Sequence, residues 1–264
     1  MTISFNILGH YGRLGNQMFQ YATLKSIASK HGYEFTIPDS NFQDPYHDHQ
    51  LFEAFELSSL SKDNIRINQV NQRLEEKHFH FDENLYENCP DNIDLLGYFQ
   101  TEKYFVDIKD EVKKDFTFKE DTLSAVREYR ENIPEPKIIA LHIRRGDYVG
   151  QPWHGCQSLE YYEKALSMLP DVPVVIFTDD PKWALEQELF SSDRFYVSDG
   201  NDNLFDMCFM SMCDDHIIGN SSFSWWGAWL SDSEKVIAPK RWFGPPLSEK
   251  NNTKDLLPDS WIKL

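Results

Sequence analysis

The sequence predicts an α/β protein built on parallel sheet, and three observations carry that reading. From residue 138 onward, short apolar runs alternate with amphipathic segments of helix length, the rhythm of the strand-helix-strand crossovers that parallel pairing requires. The chain opens on an apolar run, a glycine-bearing loop, a helical period and a second alternating run, which reads as β-loop-α-β. Pro134 and Pro136 break the chain between a charged helical stretch and the regular second half, because proline cannot continue a helix and biases its predecessor away from one. The expected division is therefore residues 1–134 and 135–264.

In the first part, residues 3–8 form a buried strand, 9–15 a loop, and 16–30 a helix with apolar Met18, Phe19, Ala22, Leu24 and Ile27, ended by Gly32. Residues 33–37 form a second strand. Between 38 and 90 the pattern dissolves into polar, aromatic-dotted segments read as short helices and loops. A strand follows at 93–99, a helix from Thr101 toward Lys109, and a charged helix at 119–131. The second part reads as strands at 138–143, 172–177, 195–197, 216–218 and 235–238, separated by helices at 159–169, 181–190, 204–213 and 222–230.

Composition removes several classes of function. With 41% hydrophobic and 14% aromatic residues in 264, the chain is long and apolar enough for real cores, which excludes general disorder. Its formal charge of −17 is spread evenly, and no basic block exists to neutralise a phosphate backbone, so nucleic acid is not an expected partner. No run approaches the ~18 apolar residues of a membrane span, and the N-terminus shows no basic, cleavable leader, so the expected location is the cytoplasm. Cys89, Cys156, Cys208 and Cys213 lack metal or disulfide-framework spacing and are expected as free thiols. His47, His49, His78 and His80 lie in i, i+2 pairs without further ligands, and no HExxH, GxxxxGK[ST] or GxSxG occurs, so no metal site is expected.

In parallel sheets ligands bind beyond the carboxyl ends of strands, and four such ends carry unusual residues. The first is His142-Ile143-Arg144-Arg145-Gly146-Asp147, where adjacent guanidiniums suit a diphosphate, or else form surface ion pairs. The second is Thr178-Asp179-Asp180-Pro181. Asp180 fits a helix N-cap before proline, and Thr178 and Asp179 could hold a ribose hydroxyl or a base edge. At the third, Gly219-Asn220-Ser221-Ser222-Phe223-Ser224 opens a helix, so hydroxyls and free N–H groups form either a phosphate cradle or a serine cap on an aromatic core helix. The fourth, with glycines at 9, 12 and 15, is a weak ligand-loop signal, and Gln17, Gln20 and Tyr21 read as helix surface.

Gly12-Arg13-Leu14-Gly15-Asn16-Gln17-Met18-Phe19-Gln20-Tyr21-Ala22, His142-Ile143-Arg144-Arg145-Gly146-Asp147-Tyr148 and Asn220-Ser221-Ser222-Phe223-Ser224-Trp225-Trp226-Gly227-Ala228-Trp229 together resemble the glycosyltransferase family 11 α-1,2-fucosyltransferases, chiefly the bacterial members. Arg13 stands where that pattern usually has glycine. The resemblance implies a GT-B-like fold of two Rossmann-type lobes, residues 1–134 on the acceptor side and 135–264 holding GDP-fucose, with the acceptor sugar in the interlobe cleft. It also implies inverting transfer of L-fucose from GDP-fucose to the 2-hydroxyl of a galactose-containing oligosaccharide, without an essential metal. The donor set is then His142, Arg144, Arg145, Thr178, Asp179, Asn220, Ser221, Ser222 and Ser224, with Gly12, Gly15, Asn16 and Gln17 from the first loop. Arg145 serves the leaving group, and Asp147 is the first candidate for the acceptor proton. Lipid-linked glycans at a membrane face are an expected source of acceptor. Two other readings stay open: a nucleotide-diphosphate-sugar hydrolase using the same cradle, and a glycan-binding protein using Trp153, Trp225, Trp226, Trp229 and Trp242 as sugar platforms.

Overall fold

The computed structural model describes residues 1–39, 49–70, 72–133 and 136–264. Expectations at His47 and at the Pro134-Glu135 break lie outside these residues. The chain forms two compact units, Met1–Lys119 with Asn251–Pro258, and Glu120–Lys250 with Asp259–Leu264.

The first unit contains β1 (Thr2–Ser4), α1 (Leu14–His31), β2 (Glu34–Thr36), α2 (Leu51–Ala54), β3 (Arg73–Glu75), α3 (Glu83–Glu87), β4 (Asp94–Leu96) and α4 (Lys109–Asp115). Its strands pair in parallel in the order β2-β1-β4-β3. The strand expected at 3–8 ends at Ser4. Beyond it the backbone turns, with Leu8 N–H on the Phe5 carbonyl and His10 N–H on that of Ile7, while Phe5 and Leu8 stay buried. The apolar run therefore marks burial, not pairing. The strand expected at 93–99 shrinks similarly, because Gly97 and Phe99 take positive φ of 156° and 53°.

Helix α1 departs from the amphipathic expectation. Gln17, Gln20 and Tyr21 are fully buried, so this helix runs through the unit rather than over it. Two of its polar side chains meet inside: Lys25 Nζ reaches Asp115 Oδ2 at 2.7 Å, and the Tyr21 hydroxyl donates to the same oxygen at 2.7 Å. Such a buried pair holds only because hydrogen bonds complete it. Gly32 ends the helix at φ 68°, where a side chain would be strained.

The second unit contains α5 (Glu120–Glu131), β5 (Ile139–Ile143), α6 (Leu159–Leu166), β6 (Val174–Thr178), α7 (Pro181–Leu185), β7 (Phe195–Ser198), α8 (Asn203–Ser211), β8 (Asp215–Ile217), α9 (Ser222–Leu230), β9 (Lys235–Ala238), α10 (Pro245–Ser248) and β10 (Ile262–Lys263). All six strands are parallel, in the order β10-β9-β8-β5-β6-β7. Every residue of β5 is buried, as a central strand covered on both faces must be. Helix α5, which the proline break assigned to the first part, clusters with this unit. Tyr129 sets its ring 5.5 and 5.6 Å from those of Phe205 and Phe209 on α8, and that apolar contact outweighs where the chain is interrupted.

The chain leaves β5 toward β6 and β7, then returns to β8 on the other flank and continues outward. Order reverses between β5 and β8, which makes their tips the switch point where an open parallel sheet leaves a crevice for a ligand.

Candidate active site

At the tip of β5 the two arginines part company. Arg144 is held at both ends of its fork, Nη2 to Asp147 Oδ1 at 2.5 Å and Nη1 to Asp179 Oδ2 at 2.8 Å. Arg145 commits only Nε, to Asp180 Oδ2 at 3.1 Å, and its guanidinium lies 3.9 Å from the centre of the Trp183 ring. Among the described residues neither Nη group of Arg145 has a hydrogen-bond partner, so both stand as paired donors. Stacking costs a guanidinium no hydrogen bond and fixes its plane.

The tip of β6 supplies the counter-charges. Asp179 Oδ1 accepts the Arg145 backbone N–H at 2.8 Å, so this carboxylate spans the two arginines. Asp180 caps α7 by accepting the Trp183 N–H at 3.2 Å while it holds Arg145, and its own N–H donates to Thr178 Oγ1 at 3.0 Å. Of the two residues expected as ribose or base contacts, Asp179 holds the arginine tip, and Thr178 accepts from the Asp180 backbone. Gly146 leaves room for this carboxylate, since a β-carbon would fall 2.5 Å from Asp179 Oδ2 and force it to shift.

Against β5 lies the turn after β8. A β-carbon on Gly219 would sit 3.2 Å from the His142 carbonyl oxygen and 3.3 Å from its Nδ1, so a side chain there would push the two tips apart by a few tenths of an ångström. His142 is buried, and burial aided by Arg144 lowers its pKa to about 3, keeping the ring neutral. Among the described residues its Nδ1 and the Oδ1 of buried Asn220 have no hydrogen-bond partner, an arrangement that ordinarily costs ~1–3 kcal/mol per group. Asn220 spends its amide on the Gly155 and Trp242 carbonyls at 3.0 and 2.9 Å.

Ser221 caps α9 through the Phe223 N–H at 3.3 Å. Ser224 is sealed and donates back to the Gly219 and Ser221 carbonyls, bracing the turn. Ser222, partly exposed, opens the helix. Trp225 and Trp226 are fully buried, Trp229 and Trp242 nearly so, and only Trp153 of the five tryptophans considered as sugar platforms is exposed.

The candidates on the first loop belong to the other unit and serve local architecture there. Gly12 has φ 91°, and a β-carbon on it would collide with the Asn16 side chain. Asn16 Oδ1 accepts from Gln100 Nε2 at 2.7 Å, Gln17 Oε1 accepts the Gln50 N–H at 3.1 Å, and Gly15 is buried in the first turn of α1. Among the described residues no three His, Cys, Asp or Glu side chains converge to hold a metal ion, and no helix is long and apolar enough to cross a membrane.

Two parallel α/β units, with an arginine-bearing switch point in the second, define a GT-B-like glycosyltransferase. The chain belongs to glycosyl transferase family 11, whose model matches residues 3–263. It is 31% identical to the O-antigen biosynthesis glycosyltransferase WbnK of Escherichia coli, over 96% of this chain and 98% of that one. It is 29% identical to an Escherichia coli alpha-1,2-colitosyltransferase, over 96% of each. A galactoside alpha-(1,2)-fucosyltransferase 2 of Oryctolagus cuniculus is 25% identical across 85% of this chain and 66% of its own length. Among solved structures, POFUT1 with GDP superposes with a TM-score of 0.57 at 12% identity, covering 90% of this chain and 97% of that chain. The NodZ alpha-1,6-fucosyltransferase soaked with GDP-fucose gives 0.55 at 12% identity, covering 87% and 92%.

Proposed function

We propose that this glycosyltransferase moves L-fucose from GDP-fucose to the 2-hydroxyl of a galactose residue in a glycan, inverting the anomeric centre. The observation that carries the reading is the pair of Nη groups on Arg145, without partners among the described residues and held in plane by Trp183 and Asp180 at the switch point of the second unit. As the bond from the sugar's anomeric carbon to the diphosphate breaks, negative charge grows on the phosphate oxygens. A fixed guanidinium fork and the N-terminus of α9 meet that charge without reorganising. Arg144 adds positive field, and His142 Nδ1 and Asn220 Oδ1 gain partners when the donor fills the crevice.

The acceptor oxygen attacks from the face opposite the diphosphate, and its proton passes to a carboxylate, for which Asp147 stands nearest the arginines. The guanidiniums take the role that a divalent cation serves in other nucleotide-sugar chemistry, so we assign no metal or other cofactor. The O-antigen name of the Escherichia coli relative supports a lipid-linked glycan acceptor, met in the cytoplasm at the membrane face.

A second donor has support of its own, because one relative is named for transfer of colitose, the 3-deoxy counterpart of fucose. Incubating the protein with GDP-fucose or GDP-colitose and a panel of galactose-terminated oligosaccharides, read by mass, separates the readings. Fucosylated product with little GDP release in the absence of acceptor is expected. Product from GDP-colitose alone would replace the donor, and full-speed GDP release without acceptor would make the protein a hydrolase.

A further inference from the structure

The first unit has a switch point of its own. In the order β2-β1-β4-β3 the chain leaves β1 toward β2 and later returns to place β4 on the other flank, so the crevice lies at the tips of β1 and β4. Tyr11, beyond β1, and Tyr98, beyond β4, stand at those tips, and both rings are exposed, at 42% and 39%. Their centroids lie 6.4 Å apart at an interplanar angle of 75°, with the His10 ring 5.0 Å from Tyr11. Two rings so disposed make a corner.

The fold invests heavily in holding this corner. Gln20, fully buried on α1, donates Nε2 to the Tyr11 carbonyl at 3.4 Å and to the Gly97 carbonyl at 3.0 Å, so one side chain ties the two loops together. Its Oε1 is buried without a partner among the described residues. From the tip of β3, the Glu76 carboxylate accepts the Tyr98 and Phe99 N–H groups at 2.8 and 3.1 Å. Phe99 is kept in the left-handed region at φ 53°, a conformation a side chain adopts only when its surroundings impose it. Phe99 is anchored for packing, its ring fully buried against Phe5 and Tyr104, and that anchor fixes the exposed Tyr98 beside it as well.

We propose that the Tyr11–Tyr98 corner is the seat of the acceptor's terminal hexopyranose, with Gln20 and Glu76 as its positioning residues. A pyranose carries an apolar face of C–H groups and a rim of hydroxyls, and tyrosine matches both with an apolar ring and a polar tip. The proposal rests on the glycosyl-transfer reading, since it needs a glycan partner, but not on which residues hold the donor.

Saturation-transfer NMR tests it, with methyl β-D-galactopyranoside as probe and GDP in the same tube as an independent report on the donor site. Wild type should transfer magnetisation to the galactoside ring protons. The Tyr11→Ala/Tyr98→Ala double variant should lose about tenfold of that signal and each single variant part of it, while Tyr98→Phe keeps most, as stacking needs the ring and not the hydroxyl. The GDP signal should be equal in all of them. No transfer to the galactoside in wild type, an unchanged signal in the folded double variant, or a GDP signal that falls alongside the galactoside's would each overturn the platform. A missing GDP signal in wild type would instead sink the donor reading and leave the galactoside result to decide the platform by itself.

Discussion

Arg144 and Arg145 are adjacent in sequence and chemically similar, yet the structure gives them different work. Arg144 is clamped by two carboxylates, and Arg145 is stacked and keeps its fork open. Arg145→Ala should therefore lower kcat/KM by roughly a hundredfold or more with the fold intact, the size of effect seen when one preorganised donor is lost. Arg145→Lys should recover little of it, because an ammonium neither stacks on Trp183 in a plane nor offers two parallel donors. Steady-state kinetics on the folded variants decide the point, and unchanged kinetics in Arg145→Ala would remove the diphosphate from this tip. Reading the residues alone finds both arginines and the aspartates after β6. It does not find that Asp179 and Asp180 serve the arginines, because partners separated by about one strand-helix unit become visible only once β5 and β6 are paired.

At the scale of elements, α9 combines two jobs that mutation can separate. Its first turn faces the switch point, and its body is core: Trp225 and Trp226 pack ring against ring at 5.0 Å, and Trp229 and Trp261 extend the cluster. Ser222→Ala should weaken GDP's stabilising effect with at most a small change in the unliganded melting temperature. Trp226→Ala should cost ~3–5 kcal/mol of stability, the usual toll for emptying a buried aromatic site. Thermal melts with and without GDP report both. An equal GDP shift in Ser222→Ala and wild type would make the turn purely structural. Elements buried on both faces, β5 and β6 above all, are legible as unbroken apolar runs. The edge strand β3 is not, because three residues, with Arg73 and Glu75 exposed on either side of Leu74, are too short an alternation to read. Nor is the interior position of α1, whose buried Gln17, Gln20 and Lys25 look like surface until their partners are known.

For the whole molecule, the acidic composition hides opposed titrations. Burial lowers the pKa of His216 to about 4 and that of His142 to about 3, so the unfolded chain binds more protons than the fold, and stability is lost as pH falls below the ordinary histidine value. Asp206 works the other way. Burial raises its pKa to about 6, against the hydrogen bond from Ser198, so the fold holds a proton that the unfolded chain has released. Its contribution is fully present below the unfolded carboxylate pKa and is lost as pH rises through 6. Asp206→Asn removes it, so the variant should fall progressively behind wild type as pH drops from about 6 toward 4, by up to ~1.4 kcal/mol per pH unit. Chemical denaturation at a series of pH values measures this, and a gap that stays constant would show the carboxyl to be ionised in the fold.

Above these scales stands the claim that the second unit grips a nucleotide diphosphate at the β5–β8 switch point with arginine in place of metal. Calorimetric titration of GDP into wild type and Arg145→Ala, both in excess EDTA, addresses it without any need for the acceptor. Saturable binding to wild type, weakened roughly a hundredfold in a folded Arg145→Ala, is the predicted result. Binding that vanishes from wild type under EDTA and returns with Mg²⁺ or Mn²⁺, or that is equally strong in the two proteins, would contradict it.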